Sequence, residues 1–237
     1  MPRLLQAGIT ISMLLVALGG SARAQGWQWP SQMIIAGFTV TGISGRANAD
    51  GSGSASGVLQ IPGLGNHRVD LSRSARGDVT GTASITARAS GAEIQGSFTL
   101  TGSGLKGQGT VRLSPGAVTG ASISISSSGQ ATGSGRAAVG RTQVPASFAA
   151  SGGSFNVSGS ASVQDEQGTA LANYRFSGSV TLQASGGRMA AVANGQVTRR
   201  GKLADQSTTY AVSNAQVDLS SGRCTVNAGG VSVTFVF

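Results

Sequence analysis

The chain has one histidine, His67, within Gly65-Asn66-His67-Arg68, and Asp70 follows three residues on. A histidine beside a carboxylate begins a general-base pair, and a serine would complete a hydrolytic triad. No serine is singled out for that role. Serine is nearly as common as the 38 glycines, and none lies in the Gly-x-Ser-x-Gly word that exposes a nucleophile on a strained strand-to-helix turn. One histidine, one cysteine and eight acidic residues scattered over 237 positions provide no metal-ligand spacing. Catalytic, metal and cofactor residues are therefore all expected to be absent, and the protein is not expected to be an enzyme. Cys224 has no second cysteine to pair with in the chain, so a small buried residue is expected, with an intermolecular disulfide as the sharper option. Gly102-Ser103-Gly104-Leu105-Lys106-Gly107 matches a phosphate-binding G-x-G-x-x-G word, which has meaning only when a helix follows it. Strand pattern follows here, and the match is set aside. Asn156-Val157-Ser158 fits a glycosylation sequon but falls in the middle of a strand pattern.

The arginines are the other residues with chemistry to offer. Seventeen basic residues face eight acidic ones, a formal charge of +9, which favours anionic partners and says nothing of fold. Arg46, Arg88, Arg112, Arg136 and Arg175 fall at polar positions of the alternating runs described below. Brought together by neighbouring strands, they would form an anionic-ligand stripe able to pair with phosphate or carboxylate. The plainer reading is solubility and protection of sheet edges.

The elements that must position these residues are strands. Val79, Gly81, Ala83, Ile85 and Ala87 alternate with Thr80, Thr82, Ser84 and Thr86. The same period of two holds over Arg46 to Ile61, Ala92 to Thr101, Phe155 to Val163 and Tyr174 to Gln183. Turn signals fall at Ser44-Gly45, Pro62-Gly63, Ser90-Gly91, Pro115-Gly116, Ser128-Gly129, Ser151 to Gly153, Asp165 to Gly168, Ser185 to Gly187, Arg199 to Lys202 and Ser221-Gly222. The intervals suit antiparallel hairpins, because a parallel crossover needs a dozen or more connecting residues. The expected fold is all-β: a long antiparallel meander of about a dozen strands, as a curved open sheet, sandwich or barrel. Residues 25–237 form one domain, with a lead-in segment from Gln25 to Ser31 that holds Trp27 and Trp29. The apolar face is largely Gly and Ala, each contributing little burial, so many strands are needed for stability.

Residues 1–24 read as a cleaved signal helix: a basic start at Arg3, an apolar run from Ala7 to Leu18, and small residues ending in Ala22-Arg23-Ala24. Export to the periplasm, outer membrane or cell surface follows from that reading. No later run approaches the roughly 18 apolar residues of a membrane-spanning helix. Few aromatics are available to stack bases, so nucleic acid is not an expected partner.

The chain ends in Val231, Val233, Phe235 and Phe237 on one face against Ser232 and Thr234 on the other. This resembles the closing strand of bacterial outer-membrane β-barrel proteins. The resemblance implies that Phe235 and Phe237 form an assembly signal read by the barrel-assembly machinery. It departs upstream, where Asn227 and Gly229 replace bulkier residues. The alternation and small residues are also similar to groove-forming sheets that carry lipids between envelope membranes. The expected function is a non-catalytic exported cell-envelope protein, acting as a structural scaffold or as a module that binds anionic lipid or polysaccharide. The alternative is an outer-membrane barrel serving as pore or anchor. A surface-binding sheet using rows such as Ser122, Ser124 and Ser126 is a further option.

Overall fold

The structure is a computed structural model that describes residues 27–151, 154–168, 172–185, 188–201 and 207–237. The expected signal helix, residues 1–24, falls outside the described residues. Sixteen strands follow one another in a single antiparallel sheet whose spatial order is their chain order. They are β1 (Gln32–Ile35), β2 (Phe38–Ala47), β3 (Gly53–Ile61), β4 (Gly65–Arg73), β5 (Val79–Ala89) and β6 (Ala92–Thr101). β7 (Gly104–Arg112), β8 (Ala117–Ile125), β9 (Ala131–Val139), β10 (Thr142–Ser151) and β11 (Ser154–Gly168) continue the meander. β12 (Ala172–Ser185), β13 (Arg188–Gly201), β14 (Ser207–Val217), β15 (Arg223–Ala228) and β16 (Val231–Val236) complete it. The sheet is not closed, and β1 and β16 are its two ends.

Period two gives the expected all-β meander, with more strands than expected because alternation runs unbroken through several turns. Ala36-Gly37 and Gly229-Gly230 are two-residue hairpins with positive φ at both positions, the geometry that matches the strand twist. Arg46 to Ile61 is two strands, separated by a loop in which Asn48 N donates to Ser52 O at 2.7 Å. Ser44-Gly45, expected as a turn, lies inside β2 beside a bulge, and Asp165 to Gly168 remains in β11. The Gly102 to Gly107 word spans the β6–β7 hairpin and runs on into strand.

One face of the sheet is buried almost without interruption, and no polar or charged residue is buried among the described residues. The inward positions across the middle of the sheet are small. Gly96 pairs with Gly109 and Gly109 with Ala121; past a bulge, Gly135 pairs with Ala146 and Ala146 with Gly159. A methyl group on Gly159 would collide with the carbonyl oxygen of Pro145, and one on Gly109 with that of Gln95. Beside this row large and small residues alternate: Phe98 pairs with Gly107 and Phe148 with Gly133, so each ring lies where the neighbouring strand has no side chain.

With so thin an inner layer the sheet folds over its own apolar face, hairpin tip against hairpin tip. The β8–β9 turn places Gly129 against the Pro62 carbonyl of the β3–β4 turn. The β7–β8 turn places Gly116 against the Met189 Cε methyl, and Met189 N donates to Ser114 O at 3.3 Å. At the β9–β10 turn, Gly140 N donates to Leu219 O and Arg141 N to Phe237 O, each at 2.9 Å. The β15–β16 hairpin is joined to β14 through a single ladder pair, Val217 with Cys224. Its seat is aromatic: Phe176 packs on Phe235 and Phe237 with ring centroids 5.6 and 5.0 Å apart.

Gly159→Ala should cost about 1–3 kcal/mol, because the neighbouring backbone cannot withdraw from the added methyl. Gly102→Ala, at a turn with open space around it, should change stability by less than about 0.5 kcal/mol. Urea unfolding of the two variants measures the difference, and equal losses would contradict the packing described.

Candidate functional site: the hydroxyl-bearing outer face

Strand pairing decides which outward residues meet. Arg88 lies opposite Glu93 and Glu93 opposite Arg112, so one carboxylate sits between two guanidinium groups, 3.7 Å from Arg88 Nε and 3.6 Å from Arg112 Nη1. Arg175 lies opposite Glu166 at 3.6 Å and donates to Gln164 Oε1 at 2.9 Å. Arg136 is two strands beyond Arg112, between Thr119 and Pro145, and Arg46 is on β2 opposite Ser54. The five arginines therefore do not line up as a single stripe. Hairpin lengths and bulges displace them along the strands, and three of the five are paired with carboxylates. Arg46 and Arg136 have no carboxylate partner among the described residues.

What does line up is a row of neutral polar groups. Ser84 pairs with Ser97, Ser97 with Gln108, Gln108 with Ser122 and Ser122 with Ser134. Ser134 then pairs with Ser147, Ser147 with Ser158 and Ser158 with Gln183. The row crosses β5 to β12 without a break. Neighbouring strands are about 4.8 Å apart, so the row repeats a hydroxyl or amide at that spacing. Ser122 belongs to this row; Ser124, from the same expected set, belongs to a parallel one with Lys106 and Thr132.

Over the inward row of Gly135, Ala146 and Gly159 the outer face sinks into a concavity of about 880 Å³. Ser134, Ser147, Ser158, Ser160, Thr181 and Gln143 supply its polar lining, with Arg136 alongside. Its volume is within the roughly 300–1,000 Å³ of small-molecule sites. Neither the row nor the concavity was legible from sequence, because both depend on inter-strand register. The recurrence of serine near the centre of successive strands was the one available signal.

The remaining polar groups serve the backbone. His67 is half-buried on β4, its Nε2 3.1 Å from Leu64 O, while Asp70 points outward to Arg68 at 3.5 Å, so the two sit on opposite faces. Asp50 accepts from Ser52, and Asp78 from Ser74. Asp165 accepts from the Val236 amide at 2.9 Å and from Gln167. Each of the seven described carboxylates is thus engaged in a turn, an edge or an ion pair. No group of three or more His, Cys, Asp or Glu that could hold a metal ion occurs among the described residues. Cys224 is fully buried and burial raises its thiol pKa, as expected of a small core residue. Phe235 and Phe237 are buried in the core, so a partner could read them only before the chain folds. Asn156 is exposed on β11.

The fold and this face together define an all-β protein of one meander, apolar within and hydroxyl-bearing without. Comparison with protein-family models, with curated proteins and with solved structures finds no match to this chain.

Asp218 gives a pH signature for the β14–β15 turn. Hydrogen bonds from the Ser220 hydroxyl, the Ser221 amide and the Ser221 hydroxyl lower its pKa to about 2. A depressed carboxylate contributes fully above its unfolded pKa of 3.8 and loses that contribution as pH falls through about 2. The Ser221 amide proton shift should titrate with a midpoint near 2, and Asp218→Asn should abolish that titration. A midpoint near an ordinary aspartate would contradict the turn geometry.

Proposed function

We propose that the protein is a non-catalytic, exported cell-envelope protein whose outer face holds an acidic polysaccharide. One observation carries the reading: the unbroken row from Ser84 to Gln183, with Arg136 lacking a carboxylate partner in the concavity beside it. A periodic array of hydroxyl and amide groups suits a repeating polymer. A guanidinium adds a charge-assisted pair with a carboxylate on that polymer. The engagement of the described carboxylates in turns and ion pairs is in keeping with a non-catalytic role. The signal segment motivates export.

Lipid is the less favoured ligand, because the apolar face is occupied by its own packing. Ile34, Val58, Val231 and Val236 are the exposed large hydrophobics among the described residues, and they do not form the outward band that a bilayer requires. The same polarity weighs against the membrane-barrel alternative, since the outward rows are Ser, Thr and Gln.

Purified mature protein should be retained on immobilised polygalacturonate and pass through a neutral glucan. Arg136→Ala should weaken retention roughly tenfold or more, the scale of a charge-assisted hydrogen bond. Retention by anionic vesicles but not by polygalacturonate, or by neither, would overturn the proposal. Release from cells by osmotic shock with Gln25 at the N-terminus is the expected result for export, and a need for detergent would count against it.

A further inference from the structure

The chain has two tryptophans, Trp27 and Trp29, and both stand at one place on the surface. Their rings meet edge to face, centroids 4.6 Å apart and planes at 77°, so the two indoles form a corner. Each is only partly exposed. The corner is held from both sides. The Arg73 guanidinium lies over Trp27 at 4.3 Å from the ring centroid while donating to Gly51 O, and Trp29 Nε1 donates to Arg46 O at 3.2 Å.

Beside this corner β2 has an uncovered edge. β1 pairs with β2 only over Phe38 to Thr41, and one further bond joins Ile43 N to Ser31 O at 3.1 Å. Beyond the bulge, the lead-in segment crosses from Ser44 to Ala47 without forming a ladder. The space between is a groove of about 660 Å³ lined by Trp27, Gln28, Trp29, Ser44 and Arg46, among others. Arg46 is exposed and has no carboxylate partner among the described residues.

An indole corner packed only against the end of the core would need no adjoining polar groove and no free guanidinium. Here residues that carry apolar rings, an amide, a hydroxyl and a guanidinium line one concavity. That combination suits a pyranose, whose C–H face packs on an aromatic ring while its hydroxyls hydrogen-bond. It suits an acidic pyranose best, because the carboxylate completes Arg46. We propose that this groove is a saccharide subsite that takes a uronic-acid unit, with Trp27 and Trp29 as the stacking surface and Arg46 as the carboxylate partner. The proposal rests on the polysaccharide reading above and adds a second contact on the same molecule, separate from Arg136.

Because the chain has no other tryptophan, its indole fluorescence reports on this groove alone. Titration of the mature protein with a defined oligogalacturonate should give a saturable change in that fluorescence. Arg46→Ala should weaken the apparent affinity about tenfold, while Arg200→Ala, an exposed arginine on β13, should leave it unchanged. A neutral malto-oligosaccharide of equal length should give a much weaker response. Binding detected by calorimetry and lost in Arg136→Ala, with fluorescence unmoved, would overturn the subsite and leave the polysaccharide reading standing. Equal loss in Arg46→Ala and Arg200→Ala would also overturn it, by assigning the effect to general charge. Absence of binding by either method would overturn both.

Discussion

The structure depends on how closely neighbouring strands can pair when the inward positions along the middle of the sheet are glycine or alanine. Large residues at Gly96, Gly109, Gly135 and Gly159 would hold neighbouring segments apart. Their absence lets a sixteen-stranded sheet turn in on itself until hairpin tips touch, as Gly129 does at Pro62 and Gly140 at Phe237 and Gly222. Each small side chain contributes little hydrophobic free energy. The phenyl rings of Phe98, Phe148 and Phe176, set over glycines or stacked on other rings, supply apolar area that the small residues cannot. The molecule thus uses length of sheet in place of thickness of core.

The same constraint shapes the exterior. With no polar side chain buried among the described residues, most Ser, Thr and Arg residues of the strands face outward, and antiparallel pairing sets them in rows. The bulges in β2, β8 and β14 displace charged residues from one another. The centre of the sheet, where the serines lie, stays in register from β5 to β12. A periodic neutral surface, with Arg46 and Arg136 at separate places on it, is what the proposed ligand would meet.

Alternation made the strands legible: Val79 to Ala87 and Ala92 to Leu100 face inward where the pattern places them. Strand number was less legible, because turns such as Gly140-Arg141 and Gly102-Ser103 continue the polar and small pattern without a proline or an Asn-Gly word. The arginines were correctly assigned to the polar face, yet their grouping was not readable. Whether Arg88 meets Arg112 or Arg175 is fixed by hairpin offset, which no single strand encodes. The sequence around Trp27 and Trp29 marks only a lead-in, since their partners Arg46 and Arg73 lie far along the chain. Cys224 was read correctly because its flanking alternation places it on the inner face.

The meander folds onto its apolar face and brings distant hairpin tips together. A methyl NOE spectrum of the labelled protein tests this most directly, through the Met189 Cε methyl. The account predicts a strong cross-peak from that methyl to the Gly116 α-protons, 73 residues away in sequence and in contact in the fold. A Met189 methyl that shows contacts only around Ala184, its ladder neighbour on β12, would contradict it, because the sheet would then lie open.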